Sequence, residues 1–401
     1  MKRIGRALKP AVIPILAVIT AFIVGSFFIL ITDFQSLSKI GTDPVGAITG
    51  ALGTIGTAYY AMVIGALGDP AKIAAALADP TPRATAAAIR PITETLVAST
   101  PLIFAGLAVA ISFRSGVFNI GVEGQFVLGA FGAAAAAIAL KDQPAPLILV
   151  VSVIAGIVTG AAWGFIPGFL KARTGAHEVI TTIMLNYVAF QIVLFGLRSD
   201  FLRKEGSSEP ISKVLSDFVR IPLIFDLPAI RLHWGFAVAL LMAAVVSWFL
   251  FKTTKGYELR AAGFNVRAAR YAGMSAGGSI ILAMSLSGAL AGLGGSMEVL
   301  GTVPQMSNDI SSGYGFNAIA LALLAGNRPA GIVAASLLFG ALRTGGGLMQ
   351  VKTGIPLDLL FFIQALVIMF VAAPGLIRVL YRFDRTRMPG ADKATTEGGA
   401  A

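Results

Sequence analysis

The feature that most constrains this chain is a succession of apolar stretches, each about twenty residues long and nearly free of charge. Twenty residues at 1.5 Å each match a hydrocarbon core about 30 Å thick. Of 401 residues, 56% are hydrophobic and only 13% charged, roughly half the charge of a soluble domain. The stretches are continuous, rich in Ala, Leu and Gly, and lack a period of two, which excludes a membrane β-barrel. The expected fold class is all-α: a polytopic membrane protein with about ten transmembrane helices. The chain holds no cysteine, so a disulfide-stapled secreted domain is excluded. A cytosolic enzyme and a disordered chain fit the composition no better.

Spans are expected near 11–32, 91–112, 120–140, 146–170, 178–197, 233–251, 278–300, 313–326, 329–349 and 357–377. The first follows Met1-Lys-Arg like a signal peptide, but its apolar run is too long and lacks a small-residue cleavage site, so it is read as a span. The parse is a cytoplasmic N-terminus (1–10), the first transmembrane helix (11–32), an extracytoplasmic amphipathic or re-entrant segment (33–90), a transmembrane domain (91–378) and a basic, flexible cytoplasmic tail (379–401). Residues 44–68 are apolar enough to span, but they are glycine-rich and would make the number of crossings odd. They are therefore placed on the outer face, followed by an Ala-rich amphipathic stretch, 71–90. With both termini cytoplasmic, Lys and Arg are denser inside: Lys2, Arg3, Arg6 and Lys9; Lys171 and Arg173; Lys252 to Arg270; Arg378 to Arg387. The net charge of +11 then describes anchoring to an anionic membrane leaflet, with lipid as the partner and no nucleic acid.

Polar residues inside spans are costly and therefore informative. Asn119, Glu123 and Gln125 enter the third span beside Gly121 and Gly124. Glycine there permits a broken helix whose freed amides bind solute, whereas Glu123 also suits the first turn of a helix; both readings stand. His177-Glu178 opens the fifth span, which carries Asn186 and Gln191 as interhelical bonds or path lining. Gly288, Gly292, Gly294 and Gly295 permit close helix packing in the seventh span, and Glu298 near its end is read as facing water. Phe118-Asn119 and Phe316-Asn317 are both glycine-flanked and lie on opposite faces, so spans two to five and seven to ten are read as inverted repeats. The candidate substrate pathway is Phe118, Asn119, Glu123, Gln125, Asn186, Gln191, Phe316 and Asn317.

Between spans six and seven, residues 256–273 carry Tyr257, Ala261, Phe264, Ala268 and Tyr271 on one helical stripe. Arg260, Gly263, Arg267 and Arg270 lie on its neighbour. Such a helix suits docking into a partner's groove; the alternative is a helix resting on anionic headgroups. No Gly-Lys dipeptide occurs, so there is no P-loop. No metal-ligand cluster, Gly-x-Ser-x-Gly or nucleophile–base pair is present either, and the chain is read as non-catalytic, without a metal or cofactor of its own.

Several segments together resemble the permease subunits of bacterial ABC importers in the ribose, branched-chain amino acid and nucleoside group. They are Pro101-Leu-Ile-Phe-Ala-Gly-Leu-Ala, Phe118-Asn-Ile-Gly-Val-Glu-Gly-Gln125, Glu178-Val-Ile-Thr-Thr-Ile-Met-Leu-Asn-Tyr187, Leu259-Arg-Ala-Ala-Gly-Phe-Asn265, Ala268-Ala-Arg-Tyr-Ala-Gly273 and Gly313-Tyr-Gly-Phe-Asn-Ala-Ile-Ala-Leu-Ala-Leu-Leu-Ala-Gly326. The resemblance covers roughly 90–375 and is nearest to the nucleoside and simple-sugar (Bmp-type) branch. It implies a type II importer-like fold working by alternating access, with a second permease subunit, cytoplasmic ABC ATPase subunits carrying ATP and Mg, an extracytoplasmic solute-binding protein and a small-molecule solute. It also implies that 256–273 is the coupling helix on the ATPase, through Tyr257, Glu258, Arg260, Gly263, Phe264, Asn265, Arg267, Ala268, Arg270 and Tyr271. The implied solute is a nucleoside, with simple sugars such as ribose or galactose as the alternative and an ion-coupled carrier behind both.

Overall fold

Helix boundaries follow local signals. Asp43, Asp69 and Thr81 each precede a proline and accept a hydrogen bond from a backbone N–H in the turn that follows, so helices begin at Pro44, Pro70 and Pro82. Gly175 and Gly354, at φ +74° and +70°, terminate two others in the left-handed conformation that glycine adopts without strain. The computed structural model describes residues 2–32, 38–39, 41–215, 219–373, 376–377 and 380–381. Its helices are α1 (Lys2–Thr32), α2 (Pro44–Leu67), α3 (Pro70–Ala78), α4 (Pro82–Arg114), α5 (Val122–Ala139), α6 (Ala145–Thr174), α7 (Glu178–Leu197), α8 (Gly235–Lys252), α9 (Thr254–Phe264), α10 (Val266–Tyr271), α11 (Ala276–Met297), α12 (Tyr314–Leu324), α13 (Pro329–Thr353) and α14 (Leu357–Ala372). A π-helical turn, Glu298–Thr302, continues α11. Three isolated β-bridges involving residues 203–233 and Ser307 are the strand-like pairings among the described residues.

Nine of the described helices are long and apolar enough to cross a membrane, and the chain is a multi-pass membrane protein. Three elements differ from the expected spans. Residues 313–326 do not form a crossing helix; α12 has 11 residues, about 16 Å at 1.5 Å each, or half a bilayer core. Residues 44–67 form one unbroken helix of crossing length, whose C-terminal third packs on the 342–349 part of α13 and on Tyr59's partners in α1. The stretch 71–90 divides into α3 and the start of α4, which together with Pro91 and Pro101 runs for 33 residues. The basic cluster at 378–387 and the tail 379–401 lie outside the described residues, apart from Leu380 and Tyr381.

Two four-helix units face each other: α4–α7, and α11–α14. In each, a long helix is followed by a short one, a second long one and a last one. The units exchange partners reciprocally. The leading helix of the second unit (α11) packs along α6 of the first, the leading helix of the first (α4) packs along α13 of the second, and each short helix lies against the other unit's leading helix. Lipid tails supply no hydrophobic drive between helices, so such crossings depend on close van der Waals approach. On α6, Gly156, Gly160, Gly164 and Gly168 recur every four residues and face Met284, Gly288, Gly292 and Ser296 of α11. A Cβ on Gly292 would stand 2.2 Å from the Gly156 carbonyl oxygen, and one on Gly160 2.3 Å from that of Gly288. The other crossing repeats the device: Gly340 of α13 sits on Ser99 of α4, as Gly156 sits on Ser296. Gly156 and Gly340 occupy the same place, the twelfth residue of α6 and of α13.

Gly292→Ala is expected to force α6 and α11 apart, at a cost of about 1–3 kcal/mol for overpacking, and to lower the thermal midpoint in detergent. Gly347→Ala, where an added Cβ meets nothing within 4 Å, is the matched control and should melt with the parent protein.

Candidate functional site: the half-helix junction

The short helices α5 and α12 begin inside the bundle. Phe126 of α5 packs with Phe104 against Gly294, and Phe104 lies ten residues, about 15 Å, from the Arg114 end of α4, so the junction sits near mid-depth. Each helix has glycine at its N-cap, Gly121 and Gly313, and neither cap supplies a side-chain acceptor for the first N–H groups. Glu123 supplies it for the other helix. Its buried carboxylate accepts hydrogen bonds from the Gly315 N–H at 2.7 Å and from the Ser311 hydroxyl. An anion in the first turn of its own helix and at the head of the opposing one is favoured by both dipoles. Positions 123 and 315 are equivalent, each the second residue after its glycine cap. A Cβ on Gly315 would lie 2.4 Å from the Glu123 nitrogen, so a glutamate on one side requires a glycine on the other.

The chain from 117 to 121 reaches this junction as non-helical backbone, and side chains replace its missing ladder. Asn119 accepts from the Gly121 N–H at 2.9 Å and donates to Gln125 Oε1 at 3.0 Å and to Ser287 Oγ at 2.9 Å. Asn186 of α7 accepts from the Gly124 N–H at 2.9 Å and donates to the Ile120 carbonyl at 3.0 Å. Asn119, Glu123, Gln125 and Asn186 are thus brought together, buried, with polar atoms paired. The other pathway candidates lie apart from them. Phe118 is 41% exposed and stacks on Phe113 with ring centroids 4.5 Å apart; Phe316 is 48% exposed. Asn317 is half-buried and Gln191 exposed. Five residues separate Gln191 from Asn186, about 140° round the helix, which is why the two do not share a face. The paired Phe-Asn motifs are not structurally equivalent either: Phe118 precedes its glycine cap, whereas Phe316 lies inside α12. The repeat resides in the helix order and the glycine caps.

Further charged groups lie beside the head of α12, close to the junction; of these, the sequence reading includes Glu298 but not Arg343. Glu298 opens the π-turn and is 5% exposed, so it does not face water. Arg343, inside α13, stands over the Tyr314 ring at 4.8 Å, and its charge and that of Arg231 act on Glu298. Arg231 is forked onto Glu94, with Nε to Oε1 at 3.1 Å. A lone arginine within an apolar run, Arg343, with one residue between it and Gly345-Gly-Gly347, was the available signal. Nearby His233 is buried; burial first, and the Arg231 charge second, push its imidazole down to about 4. It is therefore neutral, and its Nδ1 accepts from the Gly235 N–H at 3.1 Å. His177 lies at the head of α7, where Glu178 pairs with Lys171. Among the described residues no group of three or more His, Cys, Asp or Glu is placed to hold a metal ion.

The 256–273 segment forms two helices rather than one. Asn265 is extended at φ −155° and caps α10 by accepting from Arg267 N and Ala268 N, so the single stripe is broken there. Tyr257, Phe264, Val266 and Tyr271 are exposed, Tyr271 to 97%; Arg267, Ala268 and Arg270 are exposed beside them. Glu258 pairs with Lys255, and Arg260 lies over Phe251 at 5.1 Å. Gly263 meets the turn after α4, where its added Cβ would stand 2.5 Å from the Arg114 carbonyl oxygen.

Crossed repeats whose discontinuous helices meet at mid-depth are the construction of membrane transporters. Residues 92–372 match the family described as branched-chain amino acid transport system / permease component, and the chain belongs to that family, as a non-catalytic permease subunit. It is 43% identical over 290 residues to the guanosine ABC transporter permease protein NupP of Bacillus subtilis, covering 71% of this chain and 82% of the relative. It is 36% identical over 325 residues to the nucleoside ABC transporter permease protein NupB of Lactococcus lactis, covering 77% and 86%. It is 38% identical over 307 residues to the glucose ABC transporter permease protein TsgB13 of Haloferax volcanii, covering 73% and 80%. No solved structure matches it.

Asn186→Ala leaves the Ile120 carbonyl and the Gly124 N–H without their partner. At roughly 1–3 kcal/mol for each unpaired buried group, it should lower the thermal midpoint of the detergent-solubilised protein markedly. Asn317→Ala should leave that midpoint near the parent value.

Proposed function

We propose that this chain is the transmembrane permease subunit of an ATP-binding cassette importer that carries nucleosides across the cytoplasmic membrane. The observation that carries the substrate class is the 43% identity, over most of both chains, to a relative named for guanosine, with a second named for nucleosides. The chemistry agrees. Phe118 and Phe316 offer exposed aromatic faces for a base, and Asn317 beside Phe316 offers an amide for sugar hydroxyls. In this reading Phe118, Phe316 and Asn317 border the solute path, while Asn119, Glu123, Gln125 and Asn186 shape it from behind and Gln191 lies at its margin. Glucose or another simple sugar is the second reading, favoured by the similarity to the glucose permease.

The chain works beside a second permease: the relatives include NupP with NupQ and NupB with NupC. Two cytoplasmic ATPase subunits supply ATP and Mg, and an extracytoplasmic binding protein delivers solute. Both termini and the 254–271 helices face the cytoplasm, and the exposed Phe264, Val266 and Tyr271 seat on the ATPase. Nucleotide state shifts the permease between its two open states only through contacts that differ between them.

The test is uptake into proteoliposomes holding the chain, its companion permease and ATPase, with binding protein outside. ATP-dependent accumulation of guanosine, unaffected by a hundredfold excess of glucose, is expected. Accumulation of glucose instead would move the chain to the sugar branch, and nucleoside uptake without any ATPase would remove the motor from the scheme. Phe264→Ala with Tyr271→Ala should reduce co-purification of the ATPase at least several-fold. Asn317→Ala should lower guanosine uptake in an assembled complex.

A further inference from the structure

One ten-residue segment holds both ends of the half-helix α12. At the C-terminal end, Arg114 donates from Nε to the Asn327 carbonyl at 3.0 Å and from Nη2 to the Gly326 carbonyl at 3.1 Å. At the N-terminal end, Glu123 accepts from the Gly315 N–H at 2.7 Å and from the Ser311 hydroxyl. A cation at the C-terminus and an anion at the N-terminus is the arrangement that a helix dipole favours at each end. Both charges come from the other repeat and lie nine positions apart in sequence.

The segment between them is not free to flex. Val117 N–H bonds to the Ser112 carbonyl at 3.0 Å, and Asn119 and Asn186 lace 119–124 to itself, to α11 and to α7. Its one reversal, at Gly116 (φ +74°), is where α9 touches it: a Cβ on Gly116 would lie 2.9 Å from Gly263 Cα, and one on Gly263 2.8 Å from Gly116 N. The same two helices meet again through Phe251, whose ring lies 5.5 Å from the Arg114 guanidinium and 5.1 Å from that of Arg260. A displacement of α9 therefore bears on residues 114–116 without an intervening side-chain cushion, and the hydrogen bonds at Val117, Asn119, Ile120, Gly121 and Gly124 tie down the stretch that leads on to Glu123.

We infer that residues 114–123 are a rigid bracket that conveys movement of the 254–264 helix to the half-helix α12, with Arg114 and Glu123 as its two positioning residues. Neither touches solute. The inference rests on the reading of 254–271 as the ATPase contact, and it adds the route by which that contact reaches the junction. It gives the pairing of Glu123 with Gly315 a mechanical use: α12 cannot move relative to the bracket without breaking charged hydrogen bonds at one end or the other.

The experiment uses the complete complex in proteoliposomes and reads nucleoside taken up per ATP hydrolysed, alongside the amount of complex assembled. Arg114→Gln and Glu123→Gln keep hydrogen-bonding atoms and remove charge. Each is expected to lower the transport-to-hydrolysis ratio about tenfold while assembly and ATPase rate stay near the parent values. The double variant should be no worse than the weaker single one, because a bracket released at either end is already disengaged. Unchanged ratios overturn the inference, as does a double variant whose loss is the product of the two single losses. Variants that lower uptake, hydrolysis and assembly together at constant ratio mark the contacts as structural only and also overturn it. Ser311→Ala, which removes one donor to Glu123, and Arg114→Lys, which loses the fork, give the same ratio test if a glutamine variant does not assemble. Failure of the coupling reading is separately visible: Phe264→Ala with Tyr271→Ala would then leave hydrolysis and uptake coupled as in the parent.

Discussion

The structure depends on backbones meeting without side chains between them. Where α6 crosses α11 and where α4 crosses α13, glycine and serine remove the bulk that would hold the axes apart, and backbone lies on backbone. Water is absent from a hydrocarbon core, so the apolar helices gain nothing by hiding from lipid, and packing density has to do the work. Each leading helix packs along a helix of the opposite repeat, and α5 lies between α6 of its own repeat and α11 of the other. The bundle is one body, and the short helices α5 and α12 are carried at its centre by helices they do not follow in sequence.

Broken helices then create an electrostatic problem that the side chains solve. Freed N–H groups in a medium without water each cost several kcal/mol if left alone. Here Asn119 accepts from the Gly121 N–H, Asn186 from that of Gly124, Ser311 from that of Gly313 and Glu123 from that of Gly315. The result is a polar layer at mid-depth with its hydrogen bonds turned inward. The exposed Phe118 and Phe316 and the half-buried Asn317 lie outside that hydrogen-bonded cluster. Around Glu298 and Arg343 a second buried polar layer joins the π-turn to α13 and to the head of α12 through Tyr314. The two layers meet at the head of α12, where Gly315 bonds to Glu123 and the neighbouring Tyr314 lies under Arg343.

Much of this was legible before the fold was known. Blocks of about twenty apolar residues name crossings one by one, because length and hydropathy are properties of a segment by itself. The every-fourth glycines of the seventh span pointed to close packing, and α11 bears them against α6. What escaped the sequence depends on partners. Nothing in Tyr314–Leu324 says that it stops half-way, since the eleven residues are followed after a short turn by another apolar helix. Asn119 and Asn186 are the same residue type as Asn317, yet two are tied to backbone and one is partly open, a difference set by neighbours far along the chain. Glu298 looks like a surface residue at a helix end until the 228–235 stretch and α13 are laid over it. The Phe-Asn pairs suggested a repeat that the fold does contain, although the pairs occupy different places in it.

The glutamate opposite a glycine at positions 123 and 315 bears on how such a chain can arise from two alike halves. Identical halves related by a two-fold axis would set two carboxylates against each other in a dry interior, or leave two helix heads uncapped. A single acidic substitution in only one half relieves both difficulties at once. Because both units belong to one polypeptide, positions 123 and 315 can carry different residues, an arrangement closed to any pair of identical copies.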